Sequence, residues 1–281
     1  GLVEGSGFSR YTLRSNIDSQ VKTWLKAGAN MTYAFSNYQN PGYQTSWGSS
    51  GNVFSNANLM APIYPFYVRN TDGTLKVDAN GYNVYDAGNS TNFLRPGSAP
   101  RGNHAINLLI DQNYSYTDYI NSNFYVTITP LEGLNLTARI TPSVANERAM
   151  GLSNPFYGSP SIEGSVSVEH NRAITVNQQY LANYKKDLGD HNVEGLVGYE
   201  AYTLKYQNLS GSNDHLFNPF IGELNNAFGS DPASDRLHSY TDNYATTGMF
   251  GRFQYDYNAK YFINATLRHE ASSRFHPDQR W

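Results

Sequence analysis

The sequence predicts an all-β protein: an antiparallel transmembrane β-barrel architecture of about eight strands, with long external loops. Three observations carry this reading. Apolar and polar residues alternate with period two over runs of about ten residues. The links between runs alternate between tight turns and long segments, as in outer-membrane barrels. The composition is poor in charge without being apolar. Of 281 residues only 15% are charged, against roughly 25% in an ordinary globular protein, yet the mean hydropathy is −0.56. The balance is made up by Asn, Ser, Thr, with 24 Gly and 23 Tyr.

These numbers also exclude classes. No run of about 18 apolar residues exists, so no helical membrane span is predicted. Aromatics at 14% argue against disorder. A net charge of −3 carries no nucleic-acid footprint. The absence of Cys excludes a disulfide scaffold and a Cys-based metal or redox site. The chain opens Gly1-Leu2-Val3 with neither a basic nor an apolar leader region, and it stops at Arg280-Trp281. The expectation is a processed chain or a piece of a longer one, without a signal peptide.

The strands follow in order. The first, about 10–18, puts Tyr11, Leu13 and Ile17 on one face and Arg10, Thr12, Arg14, Asn16 and Asp18 on the other. The second, about 24–35, alternates Leu25, Ala27, Ala29, Met31, Tyr33 and Phe35 with Lys26, Gly28, Asn30 and Thr32. The third, about 119–129, sets Phe124, Val126 and Ile128 against Asn121, Asn123, Thr127 and Thr129. The fourth, about 134–146, sets Leu134, Leu136, Ala138 and Ile140 against Asn135, Thr137, Arg139 and Thr141. The fifth, about 172–186, carries Ile174, Val176, Tyr180, Ala182 and Tyr184. The sixth, about 192–207, is ambiguous, because Val193, Val197 and Tyr199 compete with Leu196 and Leu204. The seventh, about 245–257, sets Met249, Phe253, Tyr255 and Tyr257 against Arg252, Gln254 and Asp256. The eighth, about 261–272, sets Tyr261, Ile263, Ala265 and Leu267 against Asn264, Thr266, Arg268 and Glu270.

Strands one and two, three and four, five and six, and seven and eight are joined by tight turns. The remaining links are long: about 36–118, 147–171 and 208–244. Trp24, Tyr184, Tyr257 and Tyr261 stand beside the tight turns, and Tyr33 and Phe35 at the far end of strand two. Those are the levels of the interfacial aromatic girdles. A soluble β-sandwich would also alternate. A second face of Asn, Thr, Arg and Lys repeated over strands this long fits a wet lumen better.

The most specific stretch is Gly248-Met249-Phe250-Gly251-Arg252-Phe253-Gln254-Tyr255-Asp256-Tyr257, turning into Tyr261-Phe262-Ile263-Asn264-Ala265-Thr266-Leu267-Arg268. Ser272-Ser273-Arg274-Phe275, Pro277 and Arg280-Trp281 follow. Together these resemble the barrel signature of SusC/RagA-type TonB-dependent transporters of the Bacteroidetes outer membrane. Tyr11 to Asp18, Trp24 to Asn30, and Leu188-Gly189-Asp190-His191-Asn192 running to Gly198-Tyr199-Glu200 are similar too. The resemblance covers the strands along the whole chain but not the long loops. It departs at His269-Glu270-Ala271 and at His276. It implies a fragment, about eight strands of a 22-stranded barrel that lacks the plug, to be completed by further chain because open edges are not tolerated in lipid. It also implies active import of an oligosaccharide or oligopeptide, a SusD-like lipoprotein lid outside, TonB inside, and no cofactor. The alternatives are a self-contained eight-stranded adhesion protein of the outer membrane and a soluble secreted all-β glycan-binding module.

No catalytic spacing is present. There is no G-x-S-x-G, no phosphate loop, and His269-Glu270 lacks the second His of a zinc helix. Glu194 and Glu200 read as solvated lumen residues. Asp72-Gly73 and Asp78 near Asn80-Gly81 loosely resemble a calcium loop but lack its bidentate Glu, so turn chemistry is favoured and no metal is expected. A hairpin is predicted over Phe66 to Val77, and Leu59 to Val68 is too apolar to stay solvated. The loops are aromatic: Tyr38, Tyr43, Trp47, Tyr64, Phe66, Tyr67, Tyr82 and Tyr85 in the first, and Phe156, Tyr157, Phe217 and Phe220 in the others. Rings with nearby amides and carboxylates suit stacking on sugar faces. The same rings could instead fold the loops against one another or against a lid.

Overall fold

The computed structural model describes residues 3–40, 58, 65–86, 111–156, 163–229 and 236–281. Eight strands form one antiparallel sheet in sequence order: β1 Gly7–Lys22, β2 Leu25–Gln39, β3 Gln112–Leu131, β4 Leu134–Ser153, β5 Ser165–Leu188, β6 His191–Asp214, β7 Leu237–Tyr257 and β8 Tyr261–Ser272. The all-β, antiparallel architecture read from the sequence is borne out. The sheet is open: β1 and β8 are its two edges and are not hydrogen-bonded to each other. A self-contained eight-stranded barrel needs that pairing, so the adhesion alternative is set aside.

Register turns eight separate patterns into two faces. Residues directly opposite in an antiparallel ladder share a face. Ile17 pairs with Ala29, which pairs with Phe124, which pairs with Ile140. Farther across, Leu136 pairs with Ala182, Ala182 with Val197, Val197 with Gly251, and Gly251 with Leu267. One apolar face therefore runs across all eight strands. It also fixes strand six: Val193, Val197 and Tyr199 lie on the apolar face, with Leu196 and Leu204 opposite Asn183 and Thr175 on the polar one.

The apolar face is uncovered. Ile17 is 61% exposed, Val197 64%, Met249 60% and Leu267 78%. A continuous apolar surface of this extent is not sustained in water, and with a polar face behind it the sheet has the two sides of a lipid-facing barrel wall. The polar face is tied strand to strand by side chains. Asn123 donates to Thr141 at 2.8 Å, Thr127 and Thr137 share a bond of 3.0 Å, Asn177 donates to Glu200 at 3.1 Å, and Arg252 pairs with Glu194 at 3.0 Å. The Tyr125 hydroxyl bonds the Asp18 carboxylate across β1 to β3.

Most strands run beyond their sequence-derived bounds. β3 begins at Gln112 rather than 119, β4 ends at Ser153 rather than 146, β5 begins at Ser165 rather than 172, β6 ends at Asp214 rather than 207, and β7 begins at Leu237 rather than 245. Past the lipid wall both faces become polar, as at Asp118, Asn146 and Arg172. The alternation that marks a half-buried strand disappears, while backbone pairing continues without it. The long links shrink accordingly to 40–111, 154–164 and 215–236.

The small buried core lies beyond the lipid wall. Leu152, Val166, Val168 and Ala227 are buried there with Met150, Leu216 and Leu224 packed on them. The segment after β6, with a 3-10 turn at Leu224–Asn226, folds back over the strand extensions on the same side as the apolar face. Asn226 locks it, accepting from the Asn218 amide at 2.9 Å and donating to the Ile221 carbonyl at 2.8 Å.

Candidate functional site

The segment 65–86, between β2 and β3, is a compact knot of three short pieces. Tyr67 bridges Tyr85, Arg69 bridges Leu75, and Val77 bridges Asn83. The Lys76 amide donates to the Val68 carbonyl at 3.0 Å, and the Val84 amide to the Lys76 carbonyl at 2.9 Å. The predicted hairpin is present, with a second turn after it. Asp72 accepts from the Thr74 amide at 2.9 Å and from its hydroxyl at 2.7 Å, and these bonds hold its carboxyl below the usual range. Asp78 accepts from the Asn80 and Tyr82 amides, both at 2.9 Å. Both aspartates thus serve turns. Among the described residues no group of three or more His, Cys, Asp or Glu is placed to hold a metal ion.

Four of the candidate rings come together. The Tyr82 centroid lies 5.5 Å from Phe156 and 6.2 Å from Phe220, and Tyr85 lies 5.4 Å from Phe156. Tyr67 joins through Tyr85 at 4.9 Å. Burial, helped by a hydrogen bond with Tyr67, pushes the Tyr85 hydroxyl up to about 12. The three segments after β2, β4 and β6 are thereby joined by edge-to-face and tilted ring contacts, each of which contributes about 0.5–1.5 kcal/mol beyond its area. Tyr82 and Phe220 remain 36% and 50% exposed, so the cluster keeps an outward ring surface.

The other candidates stand apart. Phe217 packs on Phe228 at 5.5 Å. Phe66 is exposed, and its carbonyl accepts from the Asp86 amide at 2.8 Å. Tyr38 lies on the polar face and lines a groove of about 430 Å³ with Ser115, Glu169, Ser210 and His238. Tyr43, Trp47, Tyr64 and Tyr157 lie outside the described residues, as does most of Leu59 to Val68.

The sequence reading missed the polar-face network around that groove. Ser115 donates to Glu147 at 2.7 Å, Tyr206 to Asn171 at 2.6 Å, and Asn208 to Glu169 at 2.7 Å. These residues sit on strand extensions that it assigned to loops, or at their edge. A larger depression, about 860 Å³, lies among Val126, Leu136, Tyr180, Val197, Met249 and Leu267 on the apolar wall and belongs to the lipid contact.

Comparison with known proteins follows the same lines. No family model matches the chain. TonB-dependent receptor P26 of Formosa agariphila is 25% identical over 289 residues, covering 100% of this chain and 26% of that protein. TonB-dependent receptor P3 of the same organism is 25% identical over 287 residues, again with 100% and 26% coverage. The chain spans about a quarter of the length of the curated relatives it matches. Among solved structures, that of the RagAB peptide transporter superposes with a TM-score of 0.71 at 22% identity, over 98% of this chain and 29% of that one. The RagAB peptide importer in its open-open state gives 0.72 at 22%, over 99% and 29%. The resemblance to a SusC/RagA-type TonB-dependent receptor segment is borne out, and with it the outer-membrane β-barrel setting.

Proposed function

We propose that residues 1–281 are part of the barrel domain of an outer-membrane importer, energised through TonB, that takes up oligopeptides or oligosaccharides beneath a SusD-like lipoprotein lid. The observation that carries this reading is the single apolar face continued across eight strands by register, with a hydrogen-bonded polar face behind it. Such a sheet needs lipid on one side and an aqueous lumen on the other. Its unpaired edges call for further strands, in keeping with a 22-stranded barrel. The relatives' names point to transport rather than catalysis. The ring cluster of Tyr82, Tyr85, Phe156 and Phe220 stands on the external side as a surface for cargo or lid.

The test uses the full-length protein in its own outer membrane. Cells are given defined oligopeptide or oligosaccharide pools, with and without the gene and with and without a working TonB system. Loss of uptake of one class in both deficient strains supports import. Uptake indifferent to TonB contradicts it. Deleting 45–100 should leave a heat-modifiable barrel but reduce uptake or lid capture. Unchanged uptake and unchanged lid binding would remove the loop from the account.

A further inference from the structure

The lipid-facing wall ends on a cluster of cations. On this face β4 continues past Val144 to Asn146 and Arg148, β5 runs back past Ile174 to Arg172 and His170, and β6 reaches Lys205 opposite Ile174. Arg148 stands directly opposite His170, and Arg172 directly opposite Asn146. Arg172 is therefore the diagonal neighbour of Arg148 on one side and of Lys205 on the other, at spacings of about 7–8 Å. His170, Arg172 and Lys205 are exposed, and none has a carboxylate partner among the described residues. Two carboxylates lie near. Glu223, from the folded-back segment, pairs with Arg148 at 2.9 Å. Asp118, opposite Asn146, accepts the Tyr33 hydroxyl at 2.6 Å.

Like charges gathered on one sheet face repel, and the lipid wall adjoining them excludes water. The position is specific. The cluster lies at the loop end of the strands, away from the tight turns, between the apolar wall and the folded-back segment that ends in the Arg148–Glu223 pair. On the outer-membrane reading, with the long links outside, that is the headgroup level of the outer leaflet.

We propose that His170, Arg172 and Lys205, with Arg148 at their edge, bind the phosphate of a phosphorylated lipid headgroup in the outer leaflet. Charge complementarity selects the occupant: a lipid fills the wall below with its chains and presents anionic oxygens at this height. The proposal rests on the outer-membrane reading above.

The experiment uses detergent-solubilised full-length protein, with lipid A in its phosphorylated and dephosphorylated forms as probes and native mass spectrometry as the readout. The wild type should bind the phosphorylated form on the order of tenfold more tightly. The triple variant H170Q/R172Q/K205Q should lose that preference, and R172K should keep most of it. Heat-modifiable gel migration is scored on every variant. Barrel assembly without phosphate preference in the wild type, or a preference retained by the triple variant, overturns this inference alone. Failure of the wild type to assemble in lipid overturns the outer-membrane reading instead. If inorganic phosphate displaces the phosphorylated lipid as effectively as the lipid competes with itself, the site reads free anion and the lipid claim is wrong. Should the triple variant fail to assemble, R172Q and K205Q are measured singly, and an unchanged preference in both contradicts the proposal.

Discussion

Gly198 lies beneath the ring of Phe250 on the polar face. A Cβ at Gly198 would meet the tip of that ring, with Leu181 Cδ2 2.9 Å away. The other side of Phe250 carries the Arg268 guanidinium, 5.3 Å from the ring centroid. Arg268 is held in turn by Glu200 and Glu270. Three residues earlier on the same strand, Gly195 faces the apolar side and has no atom within 4 Å of its ideal Cβ.

That contrast is a test of which face is crowded. Gly198→Ala should destabilise the full-length barrel by about 1–3 kcal/mol, the usual cost of overpacking. Gly195→Ala should be close to neutral. Urea unfolding of the two variants in lipid vesicles, followed by Trp fluorescence, checks both. Equal losses would mean that the two faces are equally filled.

The turns supply a second pair. Gly133 has φ +84°, its carbonyl accepts from the Lys185 amide at 2.9 Å, and an added Cβ would run into the Lys185 carbonyl. Gly133→Ala should cost more than about 1 kcal/mol and slow barrel assembly. Ala259, at φ +52°, occupies the left-handed region with a side chain. Ala259→Gly should relieve about 1 kcal/mol. Refolding yields measured side by side in the same detergent should move in opposite directions.

Asp111 gives a pH dependence. Burial pushes its carboxyl above the usual range, and the two Asn154 donors, at 2.8 Å from the amide and 2.6 Å from the side chain, only partly offset this. A raised folded-state value means that the folded protein binds this proton more tightly. Its contribution is present below the ordinary carboxylate range and is lost as pH rises through the raised value. Asp111→Asn should flatten that part of the stability profile, while Asp111→Ala should destabilise at every pH by removing the acceptor of both Asn154 bonds. Limited proteolysis between β2 and β3 as a function of pH reads this locally. A wild-type profile matched by Asp111→Asn would contradict it.

The lipid wall was legible in the sequence because alternation is strongest where one face is apolar and the other wet. β8 needed no correction, and the odd residues from Leu25 to Phe35 stand on one face as read. Strand six stayed ambiguous because Leu196 and Leu204 are apolar residues on the polar face; pairing of Val197 with Ala182 and Gly251 decides it. The strand extensions were illegible where both faces turn polar. Even there a weak signal existed, since Val166, Val168, His170 and Arg172 continue the even-numbered face of Ile174. The ring cluster could not be assembled from sequence, because Tyr82, Phe156 and Phe220 come from three separate links whose meeting depends on the whole sheet.

The lipid wall depends on the assignment of faces, and neighbouring residues on β2 test it most directly. Met31 pairs with Ser15 and Ser122 on the apolar face, and Asn30 with Asn16 and Asn123 on the polar face. The measurement is the unfolding free energy of Met31→Arg and Asn30→Arg in lipid vesicles, each made in the full-length protein. Met31→Arg places a charge in the lipid wall and should cost roughly 2–4 kcal/mol, whereas Asn30→Arg should be mild. Equal losses from the two changes, or a larger loss from Asn30→Arg, would contradict the lipid wall and with it the barrel.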